Sequence, residues 1–333
     1  MDEAVPSGRS AVRWNDGNGE NDGMTEAGWP RAPWRTRFAP APTGRLHLGH
    51  AVNALFVWGL AGALGGRVLL RIEDHDRVRS RAVHEQALLD DLDWLGLAPD
   101  PDPASGAALV RQSERGALYE RALAGLAGRD LVYPCDCTRR AVLARTGATA
   151  GVEGVELRYP GTCRDRAVEA GRTTTRRVRL EREAVAFRDL RLGDQLQVPA
   201  EQCGDLLARD RDGNWTYQFA VVVDDLAQGI DLVVRGEDLL ASTGRQIQLG
   251  RLLGRARPAA FLHHPLIRHP DGRKLSKSAG DTGLAELRAA GWSPGRVLAE
   301  AARRAGLAPG GGELAARDLA DFVGDRILGR RAP

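Results

Sequence analysis

Lysine is almost missing from this sequence. Of 333 residues, 47 are lysine or arginine, and only Lys274 and Lys277 are not arginine. Long apolar runs are missing too. No stretch of 18 apolar residues occurs, which excludes a membrane-spanning helix of ordinary length. Four cysteines in a chain of this size are too few for a disulfide framework. Metal binding or buried thiols in a reducing cytoplasm are expected instead. Methionine occurs only at positions 1 and 24, so translation from Met24 is compatible with the sequence. The N-terminal stretch MDEAVPSGRSAVRWNDGNGENDG begins acidic and has no apolar centre, which argues against a secretory signal. A net charge of +3, left from 47 cations and 44 anions, permits nucleic-acid binding on one face without demanding it.

What is present has a readable order. Residues 1–34 are rich in Gly, Asn and Asp without periodicity and read as a disordered extension. TRFAP reads as a strand. TGRLHLGHAVNALFVWGLAGALGG reads as a loop entering an apolar helix that stops at Gly65-Gly66. RVLLRIED is a buried strand, and SRAVHEQALLDDLDWLGL is an amphipathic helix. This alternation predicts an α/β fold with a parallel sheet, its first half spanning 35–130. Residues 131–215 carry cysteines, short strands and many turns, and read as an inserted subdomain. Residues 216–280 restore helix, strand and helix, and 281–333 read as a short helical end.

The two lysines fall in DGRKLSKSAGD, residues 271–281. Lysine is a compact charge on a flexible stem, whereas arginine is a rigid fork. A mobile point charge suits a phosphate whose geometry changes during reaction. A second stretch, APAPTGRLHLGH, sets His47 and His50 three apart at the start of a helix that follows a strand. A helix N-terminus presents unpaired N–H groups and a positive dipole end to an anion. Two imidazoles there can donate to phosphate oxygens, and their spacing is not that of a zinc-binding helix. Arg37 and Arg235 follow apolar strands, where ligands of parallel sheets bind. Each can face a substrate carboxylate or form an ordinary ion pair, with Glu237 or Asp238 for instance.

Cys135 and Cys137 in YPCDCTRR, with Cys163 in YPGTCRD, offer three thiols, and a tetrahedral metal site needs four groups. The C-x-C spacing is tighter than usual, so buried thiols stand as the alternative. Cys203 is apart and reads as an inert core thiol.

HLGH resembles the HIGH motif, and KLSKS the KMSKS motif, of class I aminoacyl-tRNA synthetases. With RFAPAPTGRLHLGH, RIEDHD, YQFAVVVDD and VVRGEDLLASTGRQIQL, the stretch from Arg35 to Ser278 resembles the glutamyl branch of that class. The resemblance implies a Rossmann-like catalytic core with an inserted acceptor-binding subdomain. It implies glutamate contacts from Arg37, Phe38, Ala39, Pro40, Ala41, Glu73, Tyr217 and Arg235. It implies ATP, carried with Mg²⁺, against His47, His50, Lys274 and Lys277, with His47, His50 and Lys277 catalytic. It also implies one structural zinc on Cys135, Cys137, Tyr159 and Cys163.

Only 55 residues follow Ser278, too few for the anticodon-binding region of ordinary members. The closer resemblance is therefore to the short paralogues of that branch. It implies activation of L-glutamate without RNA, then transfer to queuosine in the anticodon stem-loop of tRNA(Asp). The arginine-rich surface would hold the RNA phosphates. A cytoplasmic monomer with no membrane partner is expected. A truncated glutamyl-tRNA synthetase charging the 3′ end, and a non-catalytic RNA-binding paralogue, remain as alternatives.

Overall fold

Strand β1 (Arg35–Phe38) runs straight from the buried Trp34 into the first turn of the fold. A computed structural model of the chain describes residues 34–75, 80–147, 157–169, 171–267, 283–309 and 311–329. Residues 1–33 and the stretch carrying Lys274 and Lys277 therefore lie outside the described residues. Trp34, assigned from sequence to the extension, belongs to the fold. Its carbonyl accepts the Arg67 N–H at 2.8 Å, which starts the pairing of β1 with the next strand.

Helix α1 (Leu48–Ala63) and strand β2 (Arg67–Ile72) complete a strand–helix–strand unit, with β1 and β2 parallel from Arg35 opposite Arg67 to Phe38 opposite Leu70. All but the first residue of RVLLRI is buried, as expected for a parallel strand covered on both faces. Helix α2 (Ala82–Leu95) leads to β3 (Val110–Arg111), which pairs parallel on the far side of β2 and is followed by α3 (Gly116–Ala127). The second half adds α6 (Tyr217–Ala227), β9 (Leu232–Gly236), α7 (Thr243–Leu252) and β10 (Ala260–His264), with β9 and β10 parallel. The Asp231 N–H donates to the Arg35 carbonyl at 3.1 Å, and the Asp231 carboxylate accepts the Arg35 N–H at 2.7 Å. These bonds set β1 beside β9. The chain thus runs outward from β1 to β2 and β3 on one side and from β9 to β10 on the other. That reversal is where parallel α/β sheets open a ligand crevice beyond their strand ends.

The section 131–215 divides in two. Strands β4 (Val132–Cys135), β5 (Thr175–Val178) and β8 (Leu206–Arg209) form a separate antiparallel sheet, with helix α4 (Arg139–Thr146) beside it. Between β5 and β8, the hairpin of β6 (Val185–Asp189) and β7 (Gly193–Gln197), followed by the short α5 (Pro199–Gln202), joins the core, β6 pairing parallel with β10 at Asp189 opposite Phe261. The physical reason is burial. Val185 and Phe187 close an apolar cluster with Val233, Ile247 and Phe261 of the core. Short strands and turns look alike in sequence whichever sheet they join, so the insertion's far boundary was not readable there.

The C-terminal end is helical, with α8 (Leu284–Ala289), α9 (Pro294–Arg304) and α10 (Leu319–Ile327). Helices α9 and α10 cover the outer side of α1, which explains why that helix is apolar on nearly every face. Small residues allow the α1–α10 crossing: a Cβ placed on Gly59 would come within 2.4 Å of the Val323 Cγ2. Gly59→Ala is expected to destabilise the fold by about 1–3 kcal/mol, the usual cost of overpacking. Adding Val323→Ala should not return that loss, because the Val323 Cβ at 2.7 Å and the Leu319 carbonyl at 3.0 Å would still meet the new methyl. Chemical denaturation of the single and double variants checks it, and an unshifted midpoint for Gly59→Ala would contradict the close crossing.

Candidate active site

At the C-terminal ends of β1 and β9 lies a cleft of about 520 Å³. Arg37, Phe38, Ala39, Pro40 and Ala41 enter it from β1 and the following turn, and Glu73 from the end of β2. Tyr217 enters from the first turn of α6, Arg235 from β9, and His47 and His50 from the start of α1. Every sequence-derived contact for glutamate and both histidines are thus brought to one cavity. Lys274 and Lys277 fall outside the described residues.

The floor of the cleft is held by buried charge. The Arg71 guanidinium, wholly buried, donates to Asp225 Oδ1 at 2.7 Å, to Gln228 Oε1 at 2.9 Å and to Glu73 Oε1 at 3.3 Å. Arg37 Nε donates to the same Asp225 oxygen at 3.0 Å. Burial alone would raise the Asp225 pKa, but Arg37 and Arg71 outweigh it and hold the carboxyl below its usual range. Glu73 goes the other way: its burial raises the pKa despite Arg71 and Arg37. The neighbouring Asp224 accepts from Gln112, Arg115 and Tyr119 at 2.6–2.8 Å. The ion-pair alternative therefore holds for Arg37, with Asp225 as its partner and not Glu237 or Asp238.

Arg235 differs. It is 4% exposed, yet its guanidinium meets only neutral acceptors: His263 Nε2 at 3.0 Å, Gln246 Oε1 at 2.6 Å and Thr243 Oγ1 at 2.8 Å. Among the described residues no carboxylate lies within ion-pair distance of it; Glu237 is taken by Arg191 at 2.6 Å. Burial pulls the Arg235 pKa down from its ordinary value, the charge of Arg37 adding to this and Tyr217 and the more distant Asp225 opposing it. A buried cation with no anion in direct contact is costly, and a ligand carboxylate in the cleft would relieve that cost.

The histidines form the helix entry. His47 is the cap residue before α1, not part of the helix, and its Nδ1 accepts the Gly49 N–H at 3.0 Å. His50 Nδ1 accepts the His47 N–H at 3.2 Å, closing a reciprocal cap, and the rings lie 4.1 Å apart. With Nδ1 accepting on both rings, the neutral imidazoles carry their proton on Nε2 as donors. Such donors at a helix N-terminus suit phosphate oxygens.

A second cluster lies on the antiparallel sheet. The sulfurs of Cys135, Cys137 and Cys163 all lie within 4.8 Å of one another, and the Tyr159 hydroxyl is 3.3 Å from Cys135 Sγ. Four ligands at zinc–sulfur distances would stand about 3.8 Å apart, so these groups fit a tetrahedral ion. Burial favours the Cys135 thiol, but the Tyr159 hydroxyl and Arg177 outweigh it and bring its pKa down to about 7. The cluster can hold a metal ion. Cys203 is buried and apart from it.

Residues 33–318 match the family of class I tRNA synthetases (E and Q), catalytic domain. The chain belongs to that family. It is 46% identical over 280 residues to the Glutamyl-Q tRNA(Asp) synthetase of Symbiobacterium thermophilum, covering 81% of this chain and 86% of that one. It is 43% identical over 278 residues to Glutamate--tRNA ligase 2 of Alkalilimnicola ehrlichii, covering 81% of this chain and 58% of the ligase. The crystal structure of a glutamate-tRNA synthetase from Elizabethkingia anophelis superposes with a TM-score of 0.70 at 26% identity, over 87% of this chain and 65% of that one. The chain thus spans less than two thirds of the ligase and of the crystallised synthetase.

Reading the sequence missed Arg71, Asp225, Asp189 and His263 as site builders. The doubled acids of VVVDD at the end of an apolar run, and the doubled histidine of FLHHPL, were the available signals. Arg71→Met leaves Asp225 and Glu73 buried without their shared cation. It is expected to cost about 3–5 kcal/mol of stability, read by denaturant unfolding. Asp225 titrates below its unfolded value, so its stabilisation is complete above about pH 4 and fades as pH falls through the folded value. Asp225→Asn should therefore flatten the acid limb of the stability–pH profile, and an unchanged limb would contradict the network.

Proposed function

We propose that the chain activates L-glutamate with ATP and then transfers it to queuosine in the anticodon loop of tRNA(Asp). The observation that carries the amino-acid assignment is the buried Arg235 guanidinium, which lines the cleft and has no described carboxylate partner. It is the natural counter-ion for a side-chain carboxylate. Glu73 and Tyr217 line the same cavity and would meet the α-ammonium end.

The substrate's α-carboxylate oxygen then attacks the α-phosphate, and pyrophosphate leaves with its bridging oxygen. Such a step needs alignment and charge neutralisation more than covalent help. The Nε2 donors of His47 and His50 would meet the phosphate oxygens, and Lys277 would follow the leaving pyrophosphate as a movable cation. Mg²⁺ arrives with ATP and supplies further charge on the phosphates. In the second step a ring hydroxyl of queuosine attacks the activated carbonyl, loses its proton, and AMP leaves. The acceptor assignment is supported by the likeness to the Glutamyl-Q tRNA(Asp) synthetase of Symbiobacterium, of which the chain spans 86%. The setting proposed is a cytoplasmic monomer.

Zinc is proposed for the thiol cluster, held by Cys135, Cys137, Cys163 and Tyr159. Bound there, it would supply a structural crosslink between the end of β4 and the turn at 159–163. Purified protein is expected to carry about one zinc per chain, lost in Cys135→Ser/Cys137→Ser, with glutamate activation largely kept because the cleft is built elsewhere. Elemental analysis and limited proteolysis read this, and a metal-free, fully folded chain would favour the buried-thiol alternative.

Glutamate-dependent ATP–pyrophosphate exchange should proceed with no RNA present. Lys277→Arg should slow it at least about tenfold, equal to about 1.4 kcal/mol. A queuosine-bearing anticodon stem-loop of tRNA(Asp) should then be glutamylated, and the same stem-loop with guanosine should not. Mapping the labelled nucleotide decides the acceptor. An ester on the terminal ribose would establish the 3′-charging reading, and no exchange at all would leave an RNA-binding paralogue.

A further inference from the structure

Why Arg235 keeps an unneutralised charge can be traced across three strands. Asp189 ends β6, His263 lies near the end of β10, and Arg235 lies near the end of β9. His263 stands directly opposite Arg235 in the parallel register, and β6 pairs with β10 at Phe261. The three side chains connect in one line. Asp189 Oδ2 lies 2.7 Å from His263 Nδ1, and His263 Nε2 lies 3.0 Å from Arg235 Nε. All three residues are at most 4% exposed.

The hydrogen bonds fix the protons. A carboxylate only accepts, so His263 Nδ1 carries the proton toward Asp189, and Nε2 presents its lone pair. That lone pair receives the Arg235 Nε–H, and the Thr243 hydroxyl is also 3.2 Å away. Burial keeps His263 below its ordinary pKa, although Asp189 opposes this, so the ring stays neutral. Asp189 is itself saturated by other donors. Its Oδ1 accepts the N–H groups of Arg191 at 3.0 Å and Leu192 at 2.8 Å, and its Oδ2 accepts the His263 N–H at 3.1 Å. Phe261 closes one side, its ring stacked on His263 and 5.4 Å from the Arg235 Cζ.

A direct Asp–Arg pair would have held the guanidinium as firmly. It would also have neutralised it, as Asp225 does for Arg37 at 3.0 Å in the same cleft. Placing an imidazole between acid and arginine keeps the orientation and removes the neutralisation. We propose that Asp189 and His263 are positioning residues that hold Arg235 as an uncompensated cation facing the cleft, and that this arrangement selects a ligand carboxylate over the isosteric amide. The inference rests on the glutamate reading and adds the source of its selectivity. Buried sites discriminate strongly where the wrong ligand leaves a polar group unpaired, and glutamine would leave the Arg235 charge unanswered.

Asp189→Asn changes no volume. It places an amide N–H against His263 and drives the ring to the tautomer whose Nε2–H opposes the guanidinium. In ATP–pyrophosphate exchange, KM for glutamate is expected to rise at least tenfold with KM for ATP unchanged. The preference for glutamate over glutamine, as a ratio of kcat/KM, should narrow at least tenfold. Because Asp189 also holds the turn at Arg191 and Leu192, a second pair guards against simple misfolding. His263→Gln retains an oxygen that can accept from Arg235 and should keep the preference, whereas His263→Leu should lose it. Arg235→Gln serves as the reference. If it raises KM for glutamate while folded Asp189→Asn and His263→Leu leave KM and the preference unchanged, the positioning role is overturned and the glutamate reading stands. If Arg235→Gln also leaves KM unchanged, both fall. A loss shared equally by KM for ATP and for glutamate, with a lowered Tm, overturns the proposal in favour of a structural role.

Discussion

A buried guanidinium with no anion beside it has to be supported entirely by neutral acceptors, and Arg235 imposes that condition on the sheet around it. Three side chains from two elements meet it: His263 from β10, and Thr243 and Gln246 from α7. The parallel pairing of β9 and β10 is what puts His263 opposite Arg235, so the sheet register sets the electrostatics of the cleft. A one-residue slip would turn His263 to the other face and bury the charge without its imidazole. The return of β6–β7 to the core has the same consequence, because it alone brings Asp189 to His263.

The opposite side of the cleft solves a different problem. Arg37, Arg71, Asp225 and Glu73 bring two positive and two negative charges into one buried cluster. Such a cluster contributes little net stability against an apolar core but becomes costly when one member is removed. It fixes Arg37 and Glu73 at the strand ends with little freedom. The cleft therefore has a neutralised wall and a charged wall. A ligand bearing charge at both ends can lie between them in one orientation, its excess anion toward Arg235.

Much of this was legible because some of its chemistry is local. The His47–His50 cap is four residues long, and its strand–loop–helix context is visible in RFAPAPTGRLHLGH. The strands β1 and β2 and the helices α1 and α2 announce themselves by burial period. The thiols gather because β4 and the turn at 159–163 are individually marked, although the contact between them is not. The Asp189–His263–Arg235 line could not be read. Its members are separated by tens of residues, one of them within a section that looked like insertion throughout, and only a sheet order makes them neighbours. The ion-pair alternative for Arg235 finds no described partner in Glu237. Closeness in sequence does not bring Glu237 to Arg235, because its carboxylate pairs with Arg191 instead.

The scarcity of lysine fits the way the described arginines are used. They are forks set into fixed acceptors. Arg111 places Nε and Nη2 on one Glu85 oxygen at 2.9 and 2.7 Å. Arg164 reaches both Asp205 and the Leu180 carbonyl, and Arg191 takes the His263 carbonyl with Glu237. A planar group with several donors gains by being locked, and in this chain it is locked repeatedly. The reaction proposed for this chain places the reverse requirement on the cation that meets a triphosphate and then lets pyrophosphate depart. That cation has to track a moving charge without a preferred plane, and an ammonium on a four-carbon stem does that. Under the proposed function, Lys274 and Lys277 are the cations asked to move, whereas the described arginines are held in place by their acceptors.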